Sequence, residues 1–131
     1  IKMIEQPLPR GEDGALETYQ SPIMLCADES CLDTSELGQA ARRYHVLNIK
    51  LDKTGGLTEA LNLARRAKDK GMMLMVGNMT GTSLAMAPAY VIAQLCDFVD
   101  LDGALFLAAD RPYPMSYKQG VVSGLMTQLW G

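Results

Sequence analysis

Cysteine is scarce in this sequence and forms no recognisable pattern. The three cysteines, Cys26, Cys31 and Cys96, are odd in number and lack the C-x-x-C spacing of many zinc and redox sites. Such a set argues against a disulfide framework and against a zinc site. We therefore expect reduced thiols, as in a cytoplasmic protein.

The sequence also lacks an excess of positive charge, a long apolar run and a visible signal peptide. Its 12 basic and 15 acidic residues give a net charge of -3, which argues against a nucleic-acid surface. No apolar run approaches the length of a membrane-spanning helix. Because the chain starts on Ile1 and not on methionine, we expect an upstream segment to be missing.

The composition is that of a globular domain. Hydrophobic residues make up 48% of the 131 residues and charged residues 21%, which is enough apolar material for one core. The single histidine, His45, precedes a predicted strand, and we expect it to have a structural role.

Short apolar segments alternate with helical patterns along the chain. Strands are predicted at residues 2–5, 23–27, 46–51, 72–76 and 97–102, and helices at 11–19, 33–44, 57–70 and 83–95. Asp33 with Glu36 matches a capping box, Gly71 stops the third helix, and Pro88 kinks the fourth or marks its start. Residues 120–126 are predicted as a terminal strand or a tail.

A polar or small residue lies at or just after the end of each predicted strand, at a regular interval. These residues are Glu5, Asp28, Lys50, Gly77 and Asp100, and they are 22 to 27 residues apart. A strand, loop, helix and loop of this length form a βα unit, and repeated units with right-handed crossovers form a parallel sheet, open or closed. Because the polar residues collect on one rim, a (β/α) barrel is favoured. Five strands instead of eight predict an α/β fold with a partial (β/α) TIM-type barrel.

Lys50 is the first candidate for chemistry. It follows the apolar run 46–49, and a strand buried on both faces can carry an ammonium at its end but not in its middle. Carboxylates share the predicted rim with it, and their oxygens suit Mg²⁺. Beside such an ion the pKa of Lys50 should fall, which would make it a base near neutral pH. The alternative is that each acid merely caps a loop and pairs with a lysine.

Three ordered runs of sequence resemble the enolase superfamily, and within it the muconate lactonizing enzyme subgroup. They are residues 4–8, residues 27–30, and residues 48–51 with Lys53 and the glycine pair at 55–56. Residues 100–103, preceded by 81–85, resemble the dipeptide epimerase branch. The resemblance covers essentially the whole chain and implies barrel strands four to eight. Residues 1–131 would then be the C-terminal portion of a barrel domain, without its capping domain and first strands.

The resemblance also implies roles for particular residues. Glu5 and Asp28 would be the second and third ligands of Mg²⁺, and Lys50 would be the catalytic acid and base. Asp100 and Asp102 would bind the α-ammonium of a dipeptide. The further substrate-binding residues that it implies are Lys53, Asn78 and Met79.

The implied activity is Mg²⁺-dependent epimerisation of a dipeptide at an α-carbon, by 1,1-proton transfer through an enediolate. Two bases on opposite faces are required, because a single base would return the proton with retention. The opposing lysine and the first metal ligand have no position in this chain. We therefore expect activity in the intact enzyme, either as a homo-oligomer or with the missing N-terminal half, and none in this chain alone.

Other functions are open at this point. Within the superfamily they are N-acylamino-acid racemase, o-succinylbenzoate synthase and muconate cycloisomerase. Outside it, Lys50 could form a Schiff base as in a lysine aldolase, which borohydride trapping would reveal. The chain could also be an inactive barrel fragment.

Overall fold

Five strands form one parallel sheet in chain order in a computed structural model that describes residues 1–123 and 126–130. The strands are β1 (Met3–Glu5), β2 (Met24–Ala27), β3 (Val46–Ile49), β4 (Met73–Val76) and β5 (Phe98–Val99). Each strand pairs with the next, and helical segments lie between them. This arrangement is a half-barrel, which confirms the predicted partial (β/α) barrel.

The helices cover one face of this sheet. They are α1 (Leu37–Arg43), α2 (Leu51–Thr54), α3 (Leu57–Asp69) and α4 (Ser83–Ala93), with short 3₁₀ turns at Gly14–Glu17 and Gly103–Phe106. Side chains on alternate strand positions, such as Leu25, Leu47 and Leu74, pack with them in the main core. The other strand positions form a second apolar cluster around Cys26, Val46 and Met75, on what we call the inner face.

Helix α3 shows why the sequence forms these elements. Ala60, Leu63, Ala64 and Ala67 are buried on one stripe at helical spacing, and the opposite side is exposed. Gly71 ends the segment with φ of +78°, a conformation that favours glycine. The predicted stop at Gly71 is confirmed.

Several element predictions differ from the structure. The helix predicted at 11–19 is a 3₁₀ turn over Gly14–Glu17, and the helix predicted at 33–44 begins at Leu37. The third strand ends at Ile49 and not at Leu51, because residues 51–54 form helix α2, which Gly55 ends with φ of +76°. The predicted capping box is absent, because Asp33 accepts hydrogen bonds from Ser35 in a local turn. The last strand pairs over Phe98–Val99 only.

A small hairpin follows the sheet. Its strands are β6 (Ser116–Lys118) and β7 (Val121–Ser123), and a short helix α5 (Thr127–Trp130) comes after it. The terminal strand predicted within 120–126 is confirmed over its first part, and residues 124 and 125 lie outside the described part. Pro88 lies within α4, which begins at Ser83 because Asp110 accepts hydrogen bonds from the Ser83 backbone and hydroxyl. None of the described helices is long and apolar enough to cross a membrane.

Candidate active site

The carboxyl ends of the strands bring several polar side chains to the inner face. Glu5 ends β1, while Asp28 and Lys50 directly follow β2 and β3. Side chains two positions apart on a strand share a face, so Asp28 continues the row of Cys26, and Lys50 the row of Val46 and Asn48. Glu5, Asp28 and Lys50 are thus close together on one rim, as predicted from the strand ends.

Asp28 is the centre of an ionic cluster. Its two carboxylate oxygens accept from Lys50 Nζ at 2.6 Å and from Lys53 Nζ at 2.5 Å. Asp28 is only 5% exposed, so water competes little for these contacts. Lys53 also donates to the backbone oxygens of Asp28, at 2.6 Å, and Asn48, at 3.0 Å. Three acceptors account for all three ammonium protons of Lys53, which leaves none for a substrate in this arrangement.

The charges in this cluster stabilise one another. Burial raises the pKa of Asp28, but the hydrogen bonds and charges of Lys50 and Lys53 outweigh it and hold this pKa below its usual value. Burial lowers the pKa of Lys50. The hydrogen bond to Asp28 and the charges of Asp28 and Glu5 outweigh burial, so this pKa lies above its usual value. The predicted fall in the pKa of Lys50 concerns a lysine beside a bound Mg²⁺ and stays a prediction; with a carboxylate in direct contact with the ammonium, this pKa is raised.

Asn48 joins Glu5 to this cluster. Its Nδ2 donates to Glu5 Oε1 at 2.5 Å, and its buried Oδ1 has no partner among the described residues. Gly77 lies against the same amide, so that a Cβ at Gly77 would lie 2.8 Å from Asn48 Oδ1 and 3.0 Å from Lys50 Cε. Neither contact was predicted from the sequence, although the apolar run around Asn48 was an indication of a buried amide.

Gln6 is a second residue that the sequence reasoning passed over. It follows Glu5, and its Oε1 accepts from the backbone N–H groups of Asp28 and Ser30, at 2.9 and 3.1 Å. Its Nε2 donates to Leu8 O, Ser30 Oγ and Tyr44 OH. The only signal in the sequence was its position beside Glu5 in the run 4–8.

Asp100 and Asp102 lie beyond β5 with their carboxyl groups close together. Partial burial, the charge of Asp102 and a hydrogen bond with Asp102 raise the pKa of Asp100. Two adjacent carboxyl groups favour either a shared proton or a cation between them. Both also line a cavity of about 440 Å³, together with Tyr117 and Val122 of the hairpin.

Asn78 and Met79 follow β4. Asn78 Nδ2 donates to Met79 O at 3.1 Å, and the Asn78 amide lies against Gly103, where a Cβ would be 2.6 Å from Nδ2. Met79 is 56% exposed. The structure thus links Asn78 to the turn after Asp102, while no described contact joins either residue to Lys50.

Oxygen donors at this rim fit part of the shell of a hard divalent cation. Glu5 and Asp28 provide two carboxylates on neighbouring strands, the ligand type that Mg²⁺ prefers. Within residues 1–123 and 126–130, no group of three or more His, Cys, Asp or Glu side chains could hold a metal. The described residues therefore bring together two candidate carboxylate ligands at this rim.

The fold is a parallel half-barrel, and a lysine and carboxylates lie at the carboxyl ends of its strands. This combination is typical of the (β/α)-barrel enzymes. Residues 1–122 match the family model described as Enolase C-terminal domain-like. The chain belongs to this family, as the sequence resemblance implied.

The relatives are racemases and epimerases. The chain is 51% identical over 131 residues to an N-acetyl-D-glutamate racemase of Pseudoalteromonas and 47% identical over 120 residues to the L-Ala-D/L-Glu epimerase of Escherichia coli. These matches cover 100% and 92% of the chain but only 42% and 37% of the relatives, so it spans about two fifths of their length.

Solved structures show the same fold with ligands. One is an enolase family member from Agrobacterium tumefaciens with bound sodium and L-Ala-L-Glu. The match covers 100% of this chain and 40% of the Agrobacterium chain, with a TM-score of 0.96 and 50% sequence identity. Another is a dipeptide epimerase from Methylococcus capsulatus complexed with Mg and the dipeptide L-Arg-D-Lys. The match covers 85% of this chain and 34% of the Methylococcus chain, with a TM-score of 0.79 and 35% sequence identity. Relatives thus bind metal ions and dipeptides in this fold.

Proposed function

We propose that this chain is the second half of the barrel of a Mg²⁺-dependent epimerase, which moves a proton at the α-carbon of a dipeptide. The observation that carries the proposal is the contact of 2.6 Å between Lys50 and Asp28, on the inner face beside Glu5. It combines a proton carrier with metal-binding carboxylates on one rim. Family membership supports this reading and leaves the Schiff-base aldolase without support.

Lys50 is the acid and base on one face of the substrate in this proposal. Its ammonium carries a proton that the contact with Asp28 stabilises, so proton transfer in either direction requires that Lys50 first release Asp28. Glu5 and Asp28 would hold Mg²⁺. When bound, the ion supplies positive charge that stabilises negative charge developing on the substrate carboxylate. The opposing lysine and a further metal ligand would come from the other half of the barrel.

Asp100 and Asp102 would select the substrate. Their adjacent carboxyl groups favour a cation between them, and the α-ammonium of a dipeptide is such a cation. Asn78 and Met79 would line the same side of the site. Lys53 is kept as a predicted substrate-binding residue, although protein acceptors use its three protons here.

Removal of the Lys50 ammonium tests the proposal. In the full-length enzyme, Lys50→Met should lower kcat for L-Ala-L-Glu epimerisation by roughly 10³-fold, the usual scale of a general acid-base group. Lys118→Met on the exposed strand β6 is the matched control and should leave kcat unchanged. Parental turnover in Lys50→Met would contradict the proposal.

A second candidate is racemisation of an N-acetylated amino acid, because one relative at 51% identity is an N-acetyl-D-glutamate racemase. An N-acetyl group has no charge to satisfy Asp100 and Asp102. Asp102→Asn should therefore lower kcat/KM for a free dipeptide by roughly 10- to 30-fold and leave an N-acetylated substrate unaffected. If the parent enzyme prefers the N-acetylated substrate, the second candidate replaces the first.

A further inference from the structure

Gln6 makes an unusual number of hydrogen bonds for a half-buried side chain. Its amide oxygen accepts two backbone N–H groups, and its amide nitrogen donates to Leu8 O at 2.7 Å, Ser30 Oγ at 2.8 Å and Tyr44 OH at 3.3 Å. The amide therefore uses all of its hydrogen-bonding capacity within the chain. These bonds restrain the Gln6 side chain and also restrain the backbone and side-chain groups that it contacts.

The position of these bonds matters more than their number. Gln6 directly follows Glu5 on β1, and its Oε1 binds the backbone N–H of Asp28 after β2. Its own N–H donates to Cys26 O at 2.9 Å and so extends the pairing of the two strands. The residue thus connects the backbones that carry the two candidate metal carboxylates.

The backbone of Gln6 is in the left-handed region, with φ of +40°. Residues other than glycine adopt this conformation at an energetic cost, and it persists where the surroundings determine it. Here it turns the chain sharply after Glu5 and directs the Gln6 side chain toward the loop after β2. The side-chain bonds to Asp28 and Ser30 hold that turn in place.

We infer that Gln6 is a positioning residue that sets the placement of Asp28 relative to Glu5, and thereby the affinity of the site for a divalent cation. Groups behind metal ligands tune affinity because they remove the freedom of those ligands. Gln6 touches no reacting atom, so its effect passes through the two carboxylates. The inference rests on the proposed function only in taking Glu5 and Asp28 as metal ligands.

The test is Mg²⁺ binding by the full-length enzyme, measured by titration calorimetry without substrate. Gln6→Met keeps the length of the side chain and removes both hydrogen-bonding atoms. Its Kd for Mg²⁺ should rise by about 10-fold or more. Activity should return toward the parental value as Mg²⁺ is raised, a recovery that a general loss of packing would not give.

His45→Phe is the matched control. His45 Nδ1 accepts from the backbone N–H of Leu25 at 3.1 Å, so it anchors the same strand, β2, at its opposite end. This variant should keep the parental Kd for Mg²⁺, even if its melting temperature falls as much as that of Gln6→Met. If Gln6→Met fails to fold, Ser30→Ala removes one partner of the Gln6 amide and should raise the Kd in the same direction by a smaller factor.

Three results would overturn the inference: an unchanged Kd in Gln6→Met, an equal rise in Gln6→Met and His45→Phe, or a parent that binds no Mg²⁺. Failure of the proposed function gives a different pattern. The parent would then bind Mg²⁺ in a Gln6-dependent manner but would epimerise no dipeptide.

Discussion

At the scale of single residues, the site is packed so tightly that one added carbon atom should disturb it. A Cβ on Gly77 would lie 2.8 and 2.9 Å from the two terminal atoms of the Asn48 amide and 3.0 Å from Lys50 Cε. Asn48 is 1% exposed and donates to Glu5, so its amide cannot move without cost. Gly77 therefore makes space for both the amide and the lysine.

Gly77→Ala should displace Lys50 or Asn48 and so lower kcat in the full-length enzyme, with a loss of stability of about 1 to 3 kcal/mol from overpacking. Gly38→Ala on α1 is the control, because a Cβ there has no atom within 4 Å and alanine favours a helix. The control should keep full activity with equal or greater stability. Steady-state kinetics and thermal unfolding measure both effects, and an unimpaired Gly77→Ala would contradict the packing argument.

The sequence predicted single residues where local pattern determined them. Asp28 and Lys50 were found because each follows an apolar strand, and their contact follows from that placement. The pairing of Asn48 with Glu5 and that of Gln6 with the Asp28 backbone depend on side-chain directions that the spacing of the strand ends does not specify. The contact of 2.6 Å between Lys50 and Asp28, which raises the pKa of Lys50, also depends on the tertiary arrangement of the two side chains.

At the scale of elements, a buried acid connects the 3₁₀ turn at Gly14–Glu17 to helix α1. Asp13 is 1% exposed and accepts from Arg43 at 2.6 Å and from Tyr44 OH at 2.7 Å. Burial raises its pKa, but hydrogen bonds from Ser30 and Tyr44 and the charge of Arg43 outweigh burial and hold the pKa below its usual value. Asp13 therefore stabilises the fold as a carboxylate.

Asp13→Asn should cost about 2 kcal/mol of unfolding free energy at neutral pH, because it leaves Arg43 with a weaker partner. A lowered folded-state pKa gives stability that is present above the unfolded pKa, near 4, and is lost as the pH falls through the folded value. The difference between parent and variant should thus shrink from pH 5 to pH 2. Urea unfolding across that range measures it, with exposed Asp69→Asn as a control. A constant difference would contradict the assignment.

Elements were predicted well where amphipathic or buried runs were long enough. The five strands and α3 had recognisable patterns, whereas α2 has four residues, and its first residue, Leu51, was predicted as the end of a strand. The hairpin of β6 and β7 turns through Gln119 and Gly120, both at positive φ, and its first strand was not predicted. Short elements such as these depend on tertiary contacts more than on propensity.

At the scale of the whole molecule, the sheet has two open edges in the described residues. Ile4 on β1 is 39% exposed and Val99 on β5 is 51% exposed, although both belong to strands of a parallel sheet. Parallel sheets are normally covered on both faces, and strand edges invite further pairing. The half-barrel was predictable from the spacing of the strand ends, but the exposure of its two edge strands was not, because spacing along the chain does not specify what pairs with an edge.

Expressed by itself, the 131-residue chain should bind Mg²⁺ at least about 100-fold more weakly than the full-length enzyme. The chain supplies two candidate carboxylate ligands. The absence of a further ligand should weaken Mg²⁺ binding at least as much as the loss of a residue that positions a ligand. Titration calorimetry on both proteins measures the ratio, with circular dichroism to establish that the chain is folded. Equal affinities would show that the chain completes the metal site alone.

Hydrogen exchange at the substrate α-carbon in deuterated water tests the central claim, that Lys50 transfers the proton on one face of the site. With the full-length enzyme, NMR should show exchange from both epimers of the dipeptide. Lys50→Ala should lose exchange from one epimer and keep it from the other, through the opposing lysine that the proposal assigns to the other half of the barrel. Exchange from both epimers at the parental rate in Lys50→Ala would contradict the account.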